Sequence, residues 1–224
     1  MTRRLPLSYS EALDGTGRRT SDSTRRNREA IAETVAAHAP ARGRALELAS
    51  GTGEHAVHLA ARLGLIWQPT DADPRALTSI DAWARQTGVP LRPAVALDAT
   101  APGWAETVPP QDLIFASNIL HLVSAAEAET LITEAARALA PGGVLMIYGP
   151  FLRESGYVSE NDSAFDAKLR MLDVEIGYKS VVQVMAWCAC AGLVAQDPVP
   201  MPAANLTQIA RKPGQNGGGG LSAI

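Results

Sequence analysis

The chain has 224 residues, the length of one large domain. Hydrophobic residues make up 46% of it and charged residues 19%, which excludes general disorder, and a formal net charge of -3 provides no basic field to attract nucleic acid. The two cysteines, Cys188 and Cys190, are too few for a disulfide framework and are typical of a reducing compartment.

No segment reaches the ~20 apolar residues that cross a bilayer, and the N-terminus lacks the apolar core of a secretory signal. We therefore expect a cytoplasmic protein without a membrane partner. Residues 1–20 carry turn formers and scattered charge and are expected to be flexible. The glycine-rich stretch 213–224 is expected to be a disordered tail, which leaves residues 21–212 as a single domain.

In chain order, helices alternate with short apolar strands. The first helix is expected to begin at Ser21 or Asp22, with Ile31 and Val35 on one face. The alternation from residue 44 to 149 is typical of βαβ units in a parallel sheet. The expected strands are RALELA, LIWQPT, LRPAVALD, DLIFASN and VLMIYG, and the expected helices are EHAVHLAARLG, Pro74–Thr87 and Ala125–Leu139.

The C-terminal third has a different pattern. Residues 164–173 and 181–191 are expected to be helical, and LVAQDPV and NLTQIAR are expected to be strands. The short PMPAA link between those strands permits an antiparallel pair but not a parallel crossover.

A glycine turn, SGTG, lies between the first strand of the alternation and its helix. Gly51 and Gly53 allow a ligand to approach the backbone closely, and free N–H groups at the helix start favour an anionic group. Gly51-x-Gly53-x-x-Ala56 also fits the dinucleotide fingerprint, and Asp71 follows about 20 residues on, where the ribose-binding acid belongs. An NAD-dependent oxidoreductase is therefore a real alternative.

Acidic residues at the strand ends favour a different ligand. Glu47, just before the turn, would repel a pyrophosphate and attract an ammonium group. S-adenosylmethionine carries an ammonium group and no phosphate. Asp71, at the end of the second strand, is placed to accept hydrogen bonds from both ribose hydroxyls, and Asp98, at the end of the third, to accept one from the adenine amino group. Carboxyl ends of parallel strands share one edge of the sheet, where open α/β folds bind ligands.

Eight segments of the chain match one known pattern: Arg26-Asn27, ELASGTGEHAVHLA, WQPTDADP, ALDAT, ASNILH, PGGVLMIYGPF, AFDAKL and MPAANL. On these segments the chain resembles the class I S-adenosylmethionine-dependent methyltransferases, and more closely a subfamily known only as a domain of unknown function. The resemblance implies a Rossmann-like α/β fold: a seven-stranded, mostly parallel sheet with helices on both faces and an antiparallel last strand. It also implies a cofactor site that, with adjoining residues, comprises Glu47, Ala49, Ser50, Gly51, Thr52, Gly53, Asp71, Asp98, Ala99 and Asn118.

The chain departs from the subfamily pattern in its C-terminal half. Lys179-Ser180 replaces an arginine-aspartate pair, Ala204-Asn205 replaces two asparagines, and Asp162 replaces an asparagine. We expect these positions to face the acceptor of the methyl group, so the departures indicate a substrate particular to this protein.

Residues after the fourth strand are the catalytic candidates. Asn118 and His121 lie where the acceptor is expected, and a neutral His121 is able to take a proton from it. The sequence there is not the Asn-Pro-Pro-aromatic motif of adenine-amino methyltransferases, so DNA is not an expected substrate. The expected acceptor-binding residues are Arg26, Asn27, Tyr148, Phe151, Lys179 and Asn205, of which Tyr148 and Phe151 suit core packing equally well.

We predict no metal site, because His55 and His58 follow the order Glu-His-x-x-His and no third ligand cluster is visible. The predicted function is S-adenosylmethionine-dependent methyl transfer to a small molecule, in specialised metabolism. Besides the oxidoreductase, an RNA methyltransferase acting with a partner and a non-catalytic cofactor binder remain alternatives. The sequence leaves open whether an oxygen, nitrogen, sulfur or carbon atom of the acceptor is methylated. It also leaves open whether the protein is a monomer or a homo-oligomer.

Overall fold

The computed structural model describes residues 14–214 of the chain. A single mixed sheet of eight strands is covered by helices on both faces, which confirms the predicted α/β fold. The helices are α1 (Asp22–His38), α2 (Glu54–Arg62), α3 (Pro74–Thr87), α4 (Ala125–Ala138), α5 (Glu160–Leu172) and α6 (Val181–Cys190). The strands are β1 (Gly43–Leu48), β2 (Leu65–Asp71), β3 (Val95–Ala96), β4 (Gln111–Ser117), β5 (Leu139–Gly149), β6 (Val194–Ala195), β7 (Val199–Pro200) and β8 (Leu206–Arg211).

The strand order places β1 and β4 at the centre of the sheet. The order is β3-β2-β1-β4-β5-β8-β6, with β7 also paired to β8. Strands β1 to β5 are parallel, and β8 runs antiparallel to β5, β6 and β7. The chain winds outwards to β3 on one side of β1 and to β5 on the other. The carboxyl ends of β1 and β4 therefore flank the point where the strand order reverses, the usual ligand crevice of such sheets.

Two apolar layers hold the helices to the sheet, because successive side chains of a strand point to opposite faces. Leu46 and Leu48 of β1 pack with α4 and α6 on one face. Ala45 packs with Ile31 and Val35 of α1 on the other face, which α2 also covers. The amphipathic face expected for the first helix is thus confirmed.

Four elements differ markedly in extent from the sequence prediction, and one of them is β5, which begins at Leu139 rather than at Val144. Only two residues of the expected third strand form β3, because Pro93 has no N–H; its carbonyl accepts a hydrogen bond from the side chain of Gln68 at 2.8 Å instead. The expected sixth strand is split into β6 and β7, which raises the strand number from seven to eight. Helix α5 begins at Glu160, earlier than expected, because the Ser159 hydroxyl caps it by accepting a bond from the Asp162 amide.

The part of the N-terminal segment that the structure describes is packed against the domain. Arg19 is completely buried: its amide donates to the Ser79 hydroxyl at 2.7 Å and its guanidinium pairs with Asp73 at 3.0 Å. These long-range polar contacts tie Arg19 to the domain, and the flexibility expected for residues 1–20 stays a prediction. The rest of that segment and the tail from residue 215 lie outside the described residues. Within residues 14–214, no helix combines the length and apolar character needed to span a membrane.

Candidate functional site

Strained backbone marks the carboxyl ends of the two central strands. Ala49 follows β1 with φ 52° and Asn118 follows β4 with φ 56°, both in the left-handed region that side chains other than glycine rarely adopt. Such strain persists where the surrounding structure enforces it, and it is concentrated at functional sites. Both residues were predicted to belong to the cofactor site, and they flank the crevice of the sheet.

The glycine turn is fixed closely against the neighbouring strand and helix. Gly51 and Gly53 have φ of 58° and 88°, and a Cβ on Gly53 would lie 2.7 Å from the Ile80 Cα. Ser50 and Thr52 are both buried, and the Ser50 amide donates to the Thr70 carbonyl at 2.9 Å. The turn therefore presents a preformed backbone surface rather than a mobile loop.

Asp71 is held rigidly beside this turn. One carboxylate oxygen accepts the Gly51 N–H at 2.8 Å and the other accepts the Asp73 N–H at 2.9 Å. Burial raises the pKa of Asp71 even though these two bonds act in the opposite direction. Each oxygen keeps a further lone pair, so the side chain forms a fixed pair of acceptors.

Asp98 and Ala99 lie beyond Asp71 along the same edge. The Leu97 amide donates to the Asp71 carbonyl at 3.1 Å, which joins the loop after β3 to the end of β2. Asp98 is exposed, and one of its oxygens accepts both the amide and the hydroxyl of Thr100. Ala99 is buried. The predicted cofactor residues thus form one row from β3 across β2 and β1 to β4.

Glu47 differs from the expectation in its electrostatics. It is 1% exposed, and the indole N–H of Trp67 donates to its carboxyl at 2.7 Å. Burial raises the pKa of Glu47 to about 8, so the carboxyl is mostly protonated at neutral pH. A neutral carboxyl neither repels a pyrophosphate nor attracts an ammonium group strongly. The buried setting of Glu47 therefore does not support the charge argument from sequence, which needs an ionised carboxyl.

A second carboxylate, which the sequence analysis did not single out, lies at the start of α2. Glu54 is the first residue of that helix and is 3% exposed. It accepts a hydrogen bond from the Ser21 amide at 2.6 Å and one from the Thr52 hydroxyl at 3.3 Å. An acid thus lies at the helix terminus where a dinucleotide would place its pyrophosphate.

Three of the expected acceptor-binding residues come together in a buried polar group. The Tyr148 hydroxyl accepts hydrogen bonds from the amide groups of Asn27 at 3.3 Å and Asn205 at 3.0 Å. Two further residues extend the group: His55 bonds to Asn27 at 2.9 Å and to the Ser117 hydroxyl at 3.1 Å. The sequence analysis rejected a metal role for His55, which left it at the cofactor loop or the surface, and it missed Ser117. A polar residue directly after the buried run LIFA was the available signal.

The other expected acceptor-binding residues do not join this group. Phe151 is 4% exposed and packs into the apolar layer on the α4 and α6 face, the core packing that suited it equally well, and its role as a wall of the acceptor site stays a prediction. The Lys179 ammonium is buried and donates to the carbonyls of Val123 and Gly177. Arg26 is exposed on α1 beside Asn27.

His121 lies in a cluster of aromatic rings. Its ring centroid is 5.9 Å from that of Phe165 and 6.3 Å from that of Tyr178. Burial lowers the pKa of His121 to about 4, and the nearby Lys179 ammonium acts in the same direction. The imidazole is therefore neutral at neutral pH, the state in which it accepts a proton.

Asp166 of α5 fixes the rings around His121. It is 1% exposed and accepts the Tyr157 hydroxyl at 2.6 Å, the Tyr178 amide at 2.6 Å and the Arg170 side chain at 2.9 Å. Phe165 and Tyr157 remain 40% and 41% exposed. An aromatic surface is thus available beside His121.

The described residues contain no group of three or more histidine, cysteine, aspartate or glutamate side chains that could hold a metal ion. His58 pairs with Glu29 at 3.3 Å instead of joining His55 at a common site.

Structural comparison finds the fold of the S-adenosylmethionine-dependent methyltransferases. An O-methyltransferase family protein from Burkholderia thailandensis matches with a TM-score of 0.70 at 19% identity, over 87% of this chain and 57% of that one. Human N-acetylserotonin methyltransferase, in complex with S-adenosylmethionine, matches with a TM-score of 0.67 at 16% identity, over 86% and 53%. The chain spans little more than half the length of these two proteins.

The same fold also occurs in the [4+2]-cyclase SpnF, with a TM-score of 0.66 at 16% identity over 83% of this chain and 81% of that one. The fold by itself therefore does not determine the reaction. The model of a family described as protein of unknown function, DUF938, matches residues 18–212, and the chain belongs to that family.

Proposed function

We propose that the protein is an S-adenosylmethionine-dependent methyltransferase that acts on a small molecule. The observation that carries this proposal is the rigid Asp71 carboxylate beside the glycine turn, with its two oxygens held by the Gly51 and Asp73 amides. Two fixed acceptors side by side suit the neighbouring hydroxyls of a ribose. When bound, the cofactor supplies a methyl group on a positively charged sulfur, already activated for transfer.

The strand order gives the direction in which the cofactor would lie. With the ribose at Asp71 on β2, the adenine would lie towards Asp98 after β3. The amino-acid part would then extend the other way, across β1 towards Asn118 after β4. The crevice between β1 and β4 would hold the sulfur, and the acceptor would enter beside it.

Glu54 argues against the dinucleotide alternative. Its carboxylate lies at the start of α2 and is fixed there by the Ser21 amide at 2.6 Å. A pyrophosphate at that helix terminus would lie close to this carboxylate, whose charge the Arg25 guanidinium offsets in part at 3.5 Å, so the terminus attracts an anion less than a helix start without an acid would. S-adenosylmethionine has no phosphate to place there.

Three features of the acceptor side support a small substrate. His121 is kept neutral, so it is able to take a proton from an acceptor, and the half-exposed ring of Phe165 lies 5.9 Å from it. Alignment of the acceptor with the methyl group and removal of water would supply most of the rate. The net charge of -3 provides no general attraction for RNA.

Isothermal titration calorimetry with S-adenosylhomocysteine and NADH tests this function. We expect the protein to bind S-adenosylhomocysteine, and Asp71→Ala to weaken that binding at least tenfold, since each bond to a charged acceptor contributes ~1.5–3 kcal/mol. Asp197→Ala, an exposed aspartate far along the chain, is the control and should bind normally. Binding of NADH but not S-adenosylhomocysteine would overturn the proposal. Unchanged affinity in folded Asp71→Ala would show that the ribose lies elsewhere.

A further inference from the structure

A continuous chain of hydrogen bonds crosses the protein between the sheet and the α1/α2 layer. Asn205 donates to the Tyr148 hydroxyl at 3.0 Å, and Asn27 donates to the same oxygen at 3.3 Å. The Asn27 carbonyl oxygen then faces the His55 Nε2 at 2.9 Å, and the His55 Nδ1 faces the Ser117 hydroxyl at 3.1 Å. Five segments that are distant in sequence are thus joined through side chains alone.

The orientation of the Asn27 amide, with its nitrogen towards Tyr148 and its oxygen towards His55, sets the direction of the hydrogen bonds from there to Ser117. Because the Asn27 carbonyl oxygen only accepts, His55 must carry its proton on Nε2. The Nδ1 of a neutral imidazole with that proton is an acceptor, so the Ser117 hydroxyl must donate to it. The single proton of Ser117 is therefore committed to His55, and its oxygen offers only lone pairs to other groups.

The surroundings of His55 keep this arrangement in place. His55 is 5% exposed, and its ring stands edge-on to Phe115 at 6.5 Å between centroids. Burial lowers the pKa of His55 to about 3, with the charges of Arg28 and His58 acting in the same direction. The ring therefore stays neutral at neutral pH and keeps one donor and one acceptor.

Ser117 lies where the amino-acid part of the proposed cofactor would end. It is the last residue of β4, is half-buried, and directly precedes the left-handed Asn118 at the crevice. With the ribose at Asp71 as proposed, adenine and ribose would lie over β3 and β2, which would leave β1 and β4 for the amino-acid part. The ammonium group is the only hydrogen-bond donor on that part.

We propose that Ser117 accepts a hydrogen bond from the ammonium group of S-adenosylmethionine and that His55 is the positioning residue that fixes the Ser117 oxygen as an acceptor. This inference rests on the proposed function and adds to it the residues that would recognise the charged end of the cofactor. Asn27 connects the same contact to α1, so the helix that lies over the site is tied to it through His55.

The binding test uses two ligands that differ in the amino-acid part. S-adenosylhomocysteine carries the ammonium group, and 5′-methylthioadenosine lacks it. We expect Ser117→Ala to weaken S-adenosylhomocysteine binding about tenfold or more and to leave 5′-methylthioadenosine binding unchanged. Thr130→Ala removes a half-buried hydroxyl from α4 and is the control for a general loss of stability. Equal losses for both ligands, or none for either, would refute the role of Ser117.

The positioning role of His55 has a readout that does not depend on ligand binding. Two-bond ¹H–¹⁵N NMR correlation of the histidine rings distinguishes the two neutral tautomers. We expect His55 to carry its proton on Nε2 in the wild-type protein. If the proton is on Nδ1 instead, His55 donates to the Ser117 oxygen and the serine proton is free for another acceptor. That result would overturn the inference even if Ser117→Ala binds S-adenosylhomocysteine poorly.

Failure of this inference is distinguishable from failure of the proposed function. If the wild-type protein binds neither ligand, the cofactor assignment itself is wrong. If it binds both ligands and Ser117→Ala does not discriminate between them, the cofactor assignment stands and only the ammonium contact is wrong.

Discussion

Replacement of Glu47 by glutamine tests whether burial keeps this carboxyl protonated. The side chain is 1% exposed, and burial raises its pKa from 4.5 to about 8 in the folded protein. Between those two values the folded state holds a proton that the unfolded state has lost, so stability falls as pH rises. Glutamine keeps an oxygen to accept the Trp67 N–H but has no proton to lose.

The size of the effect follows from the pH interval. Each pH unit within that window changes the free energy of unfolding by ~1.4 kcal/mol, so the interval from pH 5 to 7.5 contributes about 3 kcal/mol. Glu47→Gln should therefore have the same free energy of unfolding as the wild-type protein at pH 5 and should be about 3 kcal/mol more stable than it at pH 7.5. For a domain of this size that gain corresponds to ~6–12 °C in Tm.

Urea unfolding at several pH values measures this difference directly, and other titrating groups cancel in the comparison. Glu129→Gln, at an exposed position of α4, provides the matched control and should follow the wild-type curve at every pH. Parallel curves for Glu47→Gln and the wild-type protein between pH 5 and 7.5 would show that Glu47 is ionised in the folded state. The electrostatic argument made from sequence would then be restored.

Two further predictions concern catalysis and the glycine turn. His121→Ala should lower the rate of methyl transfer by ~10²–10⁴-fold and leave the affinity for S-adenosylhomocysteine unchanged. The rate is measured as product release, with a cell extract of small molecules as the source of the acceptor. Because burial lowers the pKa of His121 to about 4, its titration should not change the wild-type rate of methyl transfer between pH 6 and 8. A rise in that rate centred near pH 6.5 would contradict the buried setting of His121. Gly53→Ala should lower the free energy of unfolding, measured by heat or urea, by roughly 2–4 kcal/mol. The alanine would be held in the left-handed region, and its Cβ would lie only 2.7 Å from the Ile80 Cα. Gly88 is also in the left-handed region but faces open space, so Gly88→Ala should lower the free energy of unfolding by only ~1 kcal/mol. Equal losses of stability in the two variants would refute the close approach at Gly53.

Local sequence patterns were sufficient for most of the fold. Helix α3 has the bounds predicted for it, with Asp73 as its cap, and α1 begins after the Ser21 cap. The short link before β8 correctly predicted an antiparallel pair. These features depend on residues close together in the chain, because caps, helical periodicity and short connections are local properties. The alternation of strands and helices also predicts, without the structure, that the candidate residues lie at the edge of the sheet formed by the carboxyl ends of the strands.

The state and surroundings of the site residues depended on the tertiary structure. Burial beneath the α1/α2 layer raises the pKa of Glu47, and Phe151 is a core residue because β5 delivers it into an apolar layer. The bond from His55 to Ser117 spans 62 positions, and that from Asn27 to Tyr148 spans 121. Desolvation and hydrogen-bond direction are set by neighbours that only folding brings together. The sequence therefore determined which residues line the edge of the sheet, and the folded chain decided their charge and which of them donate or accept.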